Sequence, residues 1–173
     1  MDTKALYSLS YGLYIVCSKK GNKLNGQIAN TVFQVTSEPP TIGVSINKNN
    51  LTHEYIEDSG VFSVSILRQE TPLKFIGGFG FKSGRDTDKL ASVKHKKGST
   101  GAPLVTENTV AVLEAKVVNK VDIGTHTIYV GELAGAEVLS QEPPMTYAHY
   151  HEVKRGTTPP TAPSYIPKKQ EDK

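Results

Sequence analysis

The sequence has no tryptophan, two methionines and a single cysteine, Cys17. One thiol can close no internal disulfide and build no cysteine cage for a metal. Its place in the apolar run GLYIVC reads as that of a small hydrophobe. No apolar run reaches the roughly eighteen residues that a membrane helix needs. The opening MDTKALYSLSYGLYIV lacks a basic leader and a small-residue cleavage site, so it reads as mature sequence of a cytoplasmic protein. There is no Gly-x-Ser-x-Gly elbow and no histidine near Cys17 in sequence, which leaves nucleophilic hydrolysis without support. Net charge is only +3, with scattered lysines. The densest basic cluster, KHKKGS at 94–99, has no interleaved aromatics and reads as a solvated turn, not a nucleic-acid surface. This mild positive balance suits a phosphate-bearing small molecule.

What is present is mostly strand. Residues 12–18 (GLYIVCS) lead through the turn KKGNK into 27–36 (QIANTVFQVT), a hairpin pattern. The prolines of SEPP at 37–40 stop that strand. Ile42, Val44 and Ile46 then alternate along 41–47. From Asn50 the period changes to a helix with Leu51, Tyr55 and Ile56 on one side and Gly60 at its end. VFSVSIL at 61–67 alternates again. Pro72 opens a second helix that is expected to dissolve into glycines before residue 80. Two longer strands, 109–119 and 125–139, flank the turn KVDIG. Residues 1–158 form one expected domain, and the proline-rich tail 159–173 reads as an extended or disordered arm. Antiparallel hairpins around one interposed helix imply a closed or split β-barrel.

Three stretches carry polar chemistry. Asn47, Asn50 and Thr52 stand where a strand meets a helix start, a place whose open N–H groups and positive dipole end suit a phosphate. The loop GGFGFKSG at 77–84 sets Phe81, Lys82 and Ser83 among glycines that let backbone approach a ligand. His126, His149 and His151 stand at no telling distance from carboxylates, and no metal site is expected. A puzzle remains at 25–31, where polar residues interrupt what should be a buried strand.

Taken together, SYGLYIV, TSEPP, GVSINKNNLTHEYIEDSGVFSVSIL, FIGGFGFKSGRD and GTHTIYVGE resemble the flavin reductase-like family, from about Leu6 to Thr158. Within that family it resembles the archaeal ferric reductases and the rubredoxin-linked flavin domains. The resemblance implies a mainly β, antiparallel Greek-key split barrel with a few short helices that binds FMN. It also implies NAD(P)H as co-substrate, a homodimer, and free flavin, ferric chelates or a redox protein such as rubredoxin as acceptors. By resemblance, Asn25, Gln27, Ala29, Asn30 and Thr31 would lie along the polar edge of the isoalloxazine, which answers the puzzle. Ser45 occupies a position that is cysteine in some relatives, so thiol tuning of the flavin is not expected. Asn47, Asn50, Leu51 and Thr52 would hold ribityl and phosphate, with Phe81, Lys82 and Ser83 closing from the glycine-rich loop. His126 would border the place where nicotinamide stacks. The alternative is an FMN-bearing electron carrier reduced by another protein.

Overall fold

A computed structural model describes residues 2–165. Seven strands form one antiparallel sheet in the order β2-β1-β5-β8-β9-β4-β3. They are β1 (Tyr14–Lys20), β2 (Lys23–Ala29), β3 (Val32–Ser37), β4 (Pro40–Asn47), β5 (Val61–Leu67), β8 (Thr109–Ile123) and β9 (His126–Val138). A separate two-stranded sheet, β6 (His95–Lys97) with β7 (Pro103–Val105), packs through β7 against β1, β5 and β8. The helices are α1 (Leu51–Ser59), α2 (Leu73–Gly80) and α3 (Tyr147–Glu152). Among the described residues no helix is long and apolar enough to cross a membrane.

The strand order dictates a curled sheet. β2 and β3 are its two outer edges, yet only Asn30 and Thr31 join them. A flat sheet would hold those edges about 29 Å apart, at ~4.8 Å per strand. Three residue steps span at most ~11 Å. The sheet therefore rolls until its edges meet, with no ladder across the seam. That geometry is a split barrel.

Both faces of β1 are buried, which explains its unbroken apolar run. Val16 joins Val44, Ile46, Phe62, Val64 and Tyr129 inside the barrel. Ile15 and Cys17 face the other way, into a second cluster with Ile76 and Phe79 of α2 and Tyr150 of α3. Burial there pushes the Cys17 thiol up to about 12, so it stays protonated.

Several boundaries differ from expectation. The expected strand 27–36 is two strands broken at Asn30-Thr31, because its halves pair with different neighbours: β2 with β1, β3 with β4. The glycines of α2 do not end it early; buried Ile76 and Phe79 dock it on the core, and tertiary packing outweighs propensity. The turn expected at KVDIG narrows to Gly124-Thr125, since β8 and β9 stay paired as far as Ile123 and His126. The lysine-rich turn at 94–99 contains β6, whose Lys96 pairs with Glu137. His149 and His151 lie on α3, two residues apart and so on different sides of the helix.

Candidate functional site

A cavity of about 400 Å³ opens where β2 passes the start of α1 and the end of α2. Alternation along β2 brings Asn25, Gln27 and Ala29 to its wall, with Asn30 at the strand's end. Ser45 and Asn47 reach it from β4 by the same two-residue period.

The turn from β4 into α1 is built by Asn47. Its carbonyl accepts the Asn50 N–H at 3.1 Å, and its Oδ1 accepts the Asn49 N–H at 2.9 Å. Asn50 stands at the N-cap but makes no side-chain capping bond, so the first turn of α1 keeps its donors uncapped by a side chain. Leu51 and Thr52, the first two residues of that turn, line the cavity. Thr52 is wholly buried, and its Oγ1 accepts from Asn25 Nδ2 at 2.8 Å. Its own hydroxyl proton remains for a further acceptor.

Phe81, Lys82 and Ser83 close one side. Their loop runs so near β2 that a Cβ on Gly84 would sit 1.9 Å from Asn25 Oδ1, so a larger residue there would displace the Asn25 side chain. Arg85 pairs with Glu54 and ties the loop to α1. Among the described residues Lys82 makes no ion pair. Gln27 Oε1 is buried with no hydrogen-bond partner among the described residues.

Thr31 and His126 do not line the cavity. Thr31 donates to Asn30 Oδ1 at 3.1 Å, and its carbonyl accepts the Ser45 N–H at 3.1 Å, linking β2's end to β4. His126 Nε2 lies 3.2 Å from the Thr161 carbonyl, and Nδ1 lies 2.8 Å from Thr125 Oγ1. The tautomer that satisfies both carries its proton on Nε2 and accepts from the threonine hydroxyl.

That contact belongs to a segment the composition had marked as loose. Residues 157–165 fold over the chain's own cavity, and Pro159 to Pro163 form part of its wall. Tyr150 donates to the Thr157 carbonyl at 2.9 Å, and Asn30 Nδ2 donates to Ser164 Oγ at 2.6 Å. The remainder of the tail, 166–173, lies outside the described residues. Sequence reasoning also missed Lys89, Tyr147 and Tyr150 on the wall. The tyrosines had a readable signal, an i, i+3 spacing on one helix face. Lys89 had none.

The family model for a flavin reductase like domain matches residues 6–156. The chain is 53% identical over 169 residues to the ferric-chelate reductase (NAD(P)H) of Archaeoglobus fulgidus, covering 98% of this chain and 100% of that protein. It is 56% identical over 173 residues to the high molecular weight rubredoxin of Moorella thermoacetica, covering 100% of this chain and 76% of that one. Among solved structures, the NADH:FAD oxidoreductase SgcE6 of Streptomyces globisporus C-1027, in complex with NAD and FAD fragments, superposes with a TM-score of 0.72. It shares 26% identity, with 84% of this chain and 85% of that one covered.

Proposed function

The chain belongs to the flavin reductase-like family, and on that footing we propose that it is an FMN-dependent NAD(P)H oxidoreductase. It passes electrons from reduced nicotinamide to flavin and on to free flavin, a ferric chelate or a redox protein such as rubredoxin. The observation that carries this reading is the buried Gln27 oxygen, which has no partner among the described residues and stands beside Asn25 and Asn30 on the polar stretch of a cavity wall that also carries Ile28, Phe79 and Tyr150. An orphaned buried acceptor costs about 1–3 kcal/mol unless a ligand donor meets it. The flavin ring has such a donor at N3.

The remaining residues fit the same group. The uncapped start of α1, with Asn50, Leu51, Thr52, Lys82 and Ser83 around it, suits the phosphate. Ser45 and Asn47 suit the ribityl hydroxyls, while Asn25, Ala29 and Asn30 flank Gln27 along the ring's polar edge. Thr31 contributes by fixing Asn30. FMN, when bound, supplies the hydride-accepting ring; the protein supplies orientation and field. No side-chain proton transfer is required, so none of these residues is assigned as an acid or base.

His126 acts in this reading through the segment it holds. Its bond to the Thr161 carbonyl fastens the arm at the cavity rim, where nicotinamide would enter. His126→Ala removes that tether and is expected to speed flavin reduction by NADH, by up to about tenfold, the size of one hydrogen bond of ~1.4 kcal/mol. FMN affinity and reduction by dithionite stay unchanged. Stopped-flow absorbance measures both, and equal NADH rates in mutant and wild type would remove His126 from the site. The same arm favours a second reading, because a covered cavity suits a flavin-bearing electron carrier that is reduced by another protein.

The chain is further proposed to act as a cytoplasmic homodimer. Phe33 and Val35 of β3 and Val118, Val121 and Ile123 of β8 are exposed apolar residues that a second copy would cover. Light scattering should return twice the mass of the 18.8 kDa chain. The mass of one chain at full flavin occupancy would contradict the dimer.

A further inference from the structure

Lys89 lies on the cavity wall with its Nζ held by two carbonyls, Gly26 O at 3.0 Å and Phe79 O at 3.1 Å. An ammonium has three donors, and the third has no protein acceptor among the described residues. No carboxylate pairs with it there either. Its one titratable neighbour of consequence is Cys17, a neutral thiol. Burial depresses the Lys89 ammonium to about 8. A half-buried cation without an anion is a cost to the fold that a methionine would avoid, so the charge calls for an outside partner.

The order of residues along β2 says which partner. Asn25 is bonded to Thr52 at the start of α1, Gly26 accepts from Lys89, and Gln27 carries the orphaned oxygen. FMN has a matching order: phosphate, ribityl, the N1–C2 carbonyl edge, then N3–H. If the phosphate end were held at Thr52 and N3–H met Gln27, Lys89 would be the residue beside the N1–C2 edge.

We propose that Lys89 is the counter-charge to the N1–C2 carbonyl edge of the flavin, balancing the negative charge that the ring carries when reduced. This rests on the FMN reading above. A hydride brings two electrons and one proton, which leaves the ring one negative charge unless a second proton follows. A fixed cation at that edge holds the charge without the second proton.

The test compares wild type, Lys89→Met and Lys89→Arg loaded with FMN, by anaerobic redox titration against a reference dye. Lys89→Met is expected to weaken reduced FMN about tenfold relative to oxidised FMN, a fall in potential of about 30 mV for two electrons. Lys89→Arg should recover most of it. In wild type, at pH values below the lysine's own, the potential should fall about 30 mV per pH unit, since one proton accompanies two electrons. A slope of twice that in wild type, an unchanged potential in FMN-loaded Lys89→Met, or equal weakening of oxidised and reduced FMN would overturn the role. The last outcome would assign Lys89 to the phosphate. A wild-type protein that binds no FMN would overturn the cofactor assignment itself, and the proposal with it.

Discussion

Thr52→Ala should loosen FMN tenfold to a hundredfold. The hydroxyl is fully buried, its oxygen is already engaged by Asn25 Nδ2, and its proton is left for an acceptor in the cavity. An oxygen of a phosphate dianion is the strongest acceptor the proposed ligand offers. A hydrogen bond to a charged group is worth about 1.5–3 kcal/mol, which converts to roughly one to two powers of ten in affinity. Thr52→Ser keeps the donor and should bind nearly as wild type does. Fluorescence titration of the apoprotein with FMN measures all three, with thermal unfolding to verify that the variants fold. Unchanged affinity in a folded Thr52→Ala protein would remove the phosphate from the start of α1.

The largest expected effect on stability lies away from the cavity. Glu114 on β8 is almost wholly buried and accepts the Ser99 N–H at 3.1 Å, the Ser99 hydroxyl at 2.9 Å and the Thr100 N–H at 2.9 Å. Burial alone would raise its pKa, but the bonds from Thr100 and Ser99 outweigh it and hold the carboxyl below its usual range. Glu114→Ala leaves two backbone N–H groups without their acceptor and should cost about 2–4 kcal/mol. That corresponds to roughly 5–15 °C in melting temperature for a chain of this length. A folded-state pKa below the unfolded one gives stability that is fully present above the unfolded value of about 4.3. It is lost as pH falls through the lower, folded value. Glu114→Ala should therefore flatten the acid limb of the stability profile. FMN affinity should not change, because neither Glu114 nor the 98–102 loop lines the cavity. A loss under 1 kcal/mol would show that the loop finds other acceptors.

Local pattern made most of the elements legible. The alternation in VFSVSIL and TIGVSIN and the cap-to-glycine span of α1 reappear as β5, β4 and Leu51–Ser59. The break at Asn30-Thr31 was not legible in this way. Residues 27–36 read as one strand with a polar interruption, because β propensity says nothing about which neighbour a strand pairs with. Only the non-local ladder reveals that β2 and β3 sit on opposite edges of the sheet. The contacts of the arm's described part were not legible for a related reason: proline-rich composition predicts little self-contained order, and Tyr150, Asn30 and His126 supply its partners from other parts of the chain. Lys89 is a lysine among charged residues in the sequence. Its importance arises from desolvation, which follows from packing between β2 and α2.

The central claim, that this flavin reductase-like chain takes electrons directly from a reduced nicotinamide, is tested most directly by anaerobic mixing of the FMN-loaded protein with NADH and, separately, NADPH. The account predicts loss of the oxidised flavin absorbance with at least one of them, at a rate that rises with nucleotide concentration. Colour should return when ferric chelate or free FMN is added. A bound flavin that dithionite bleaches but neither nucleotide does would contradict the reductase and leave an electron carrier in its place.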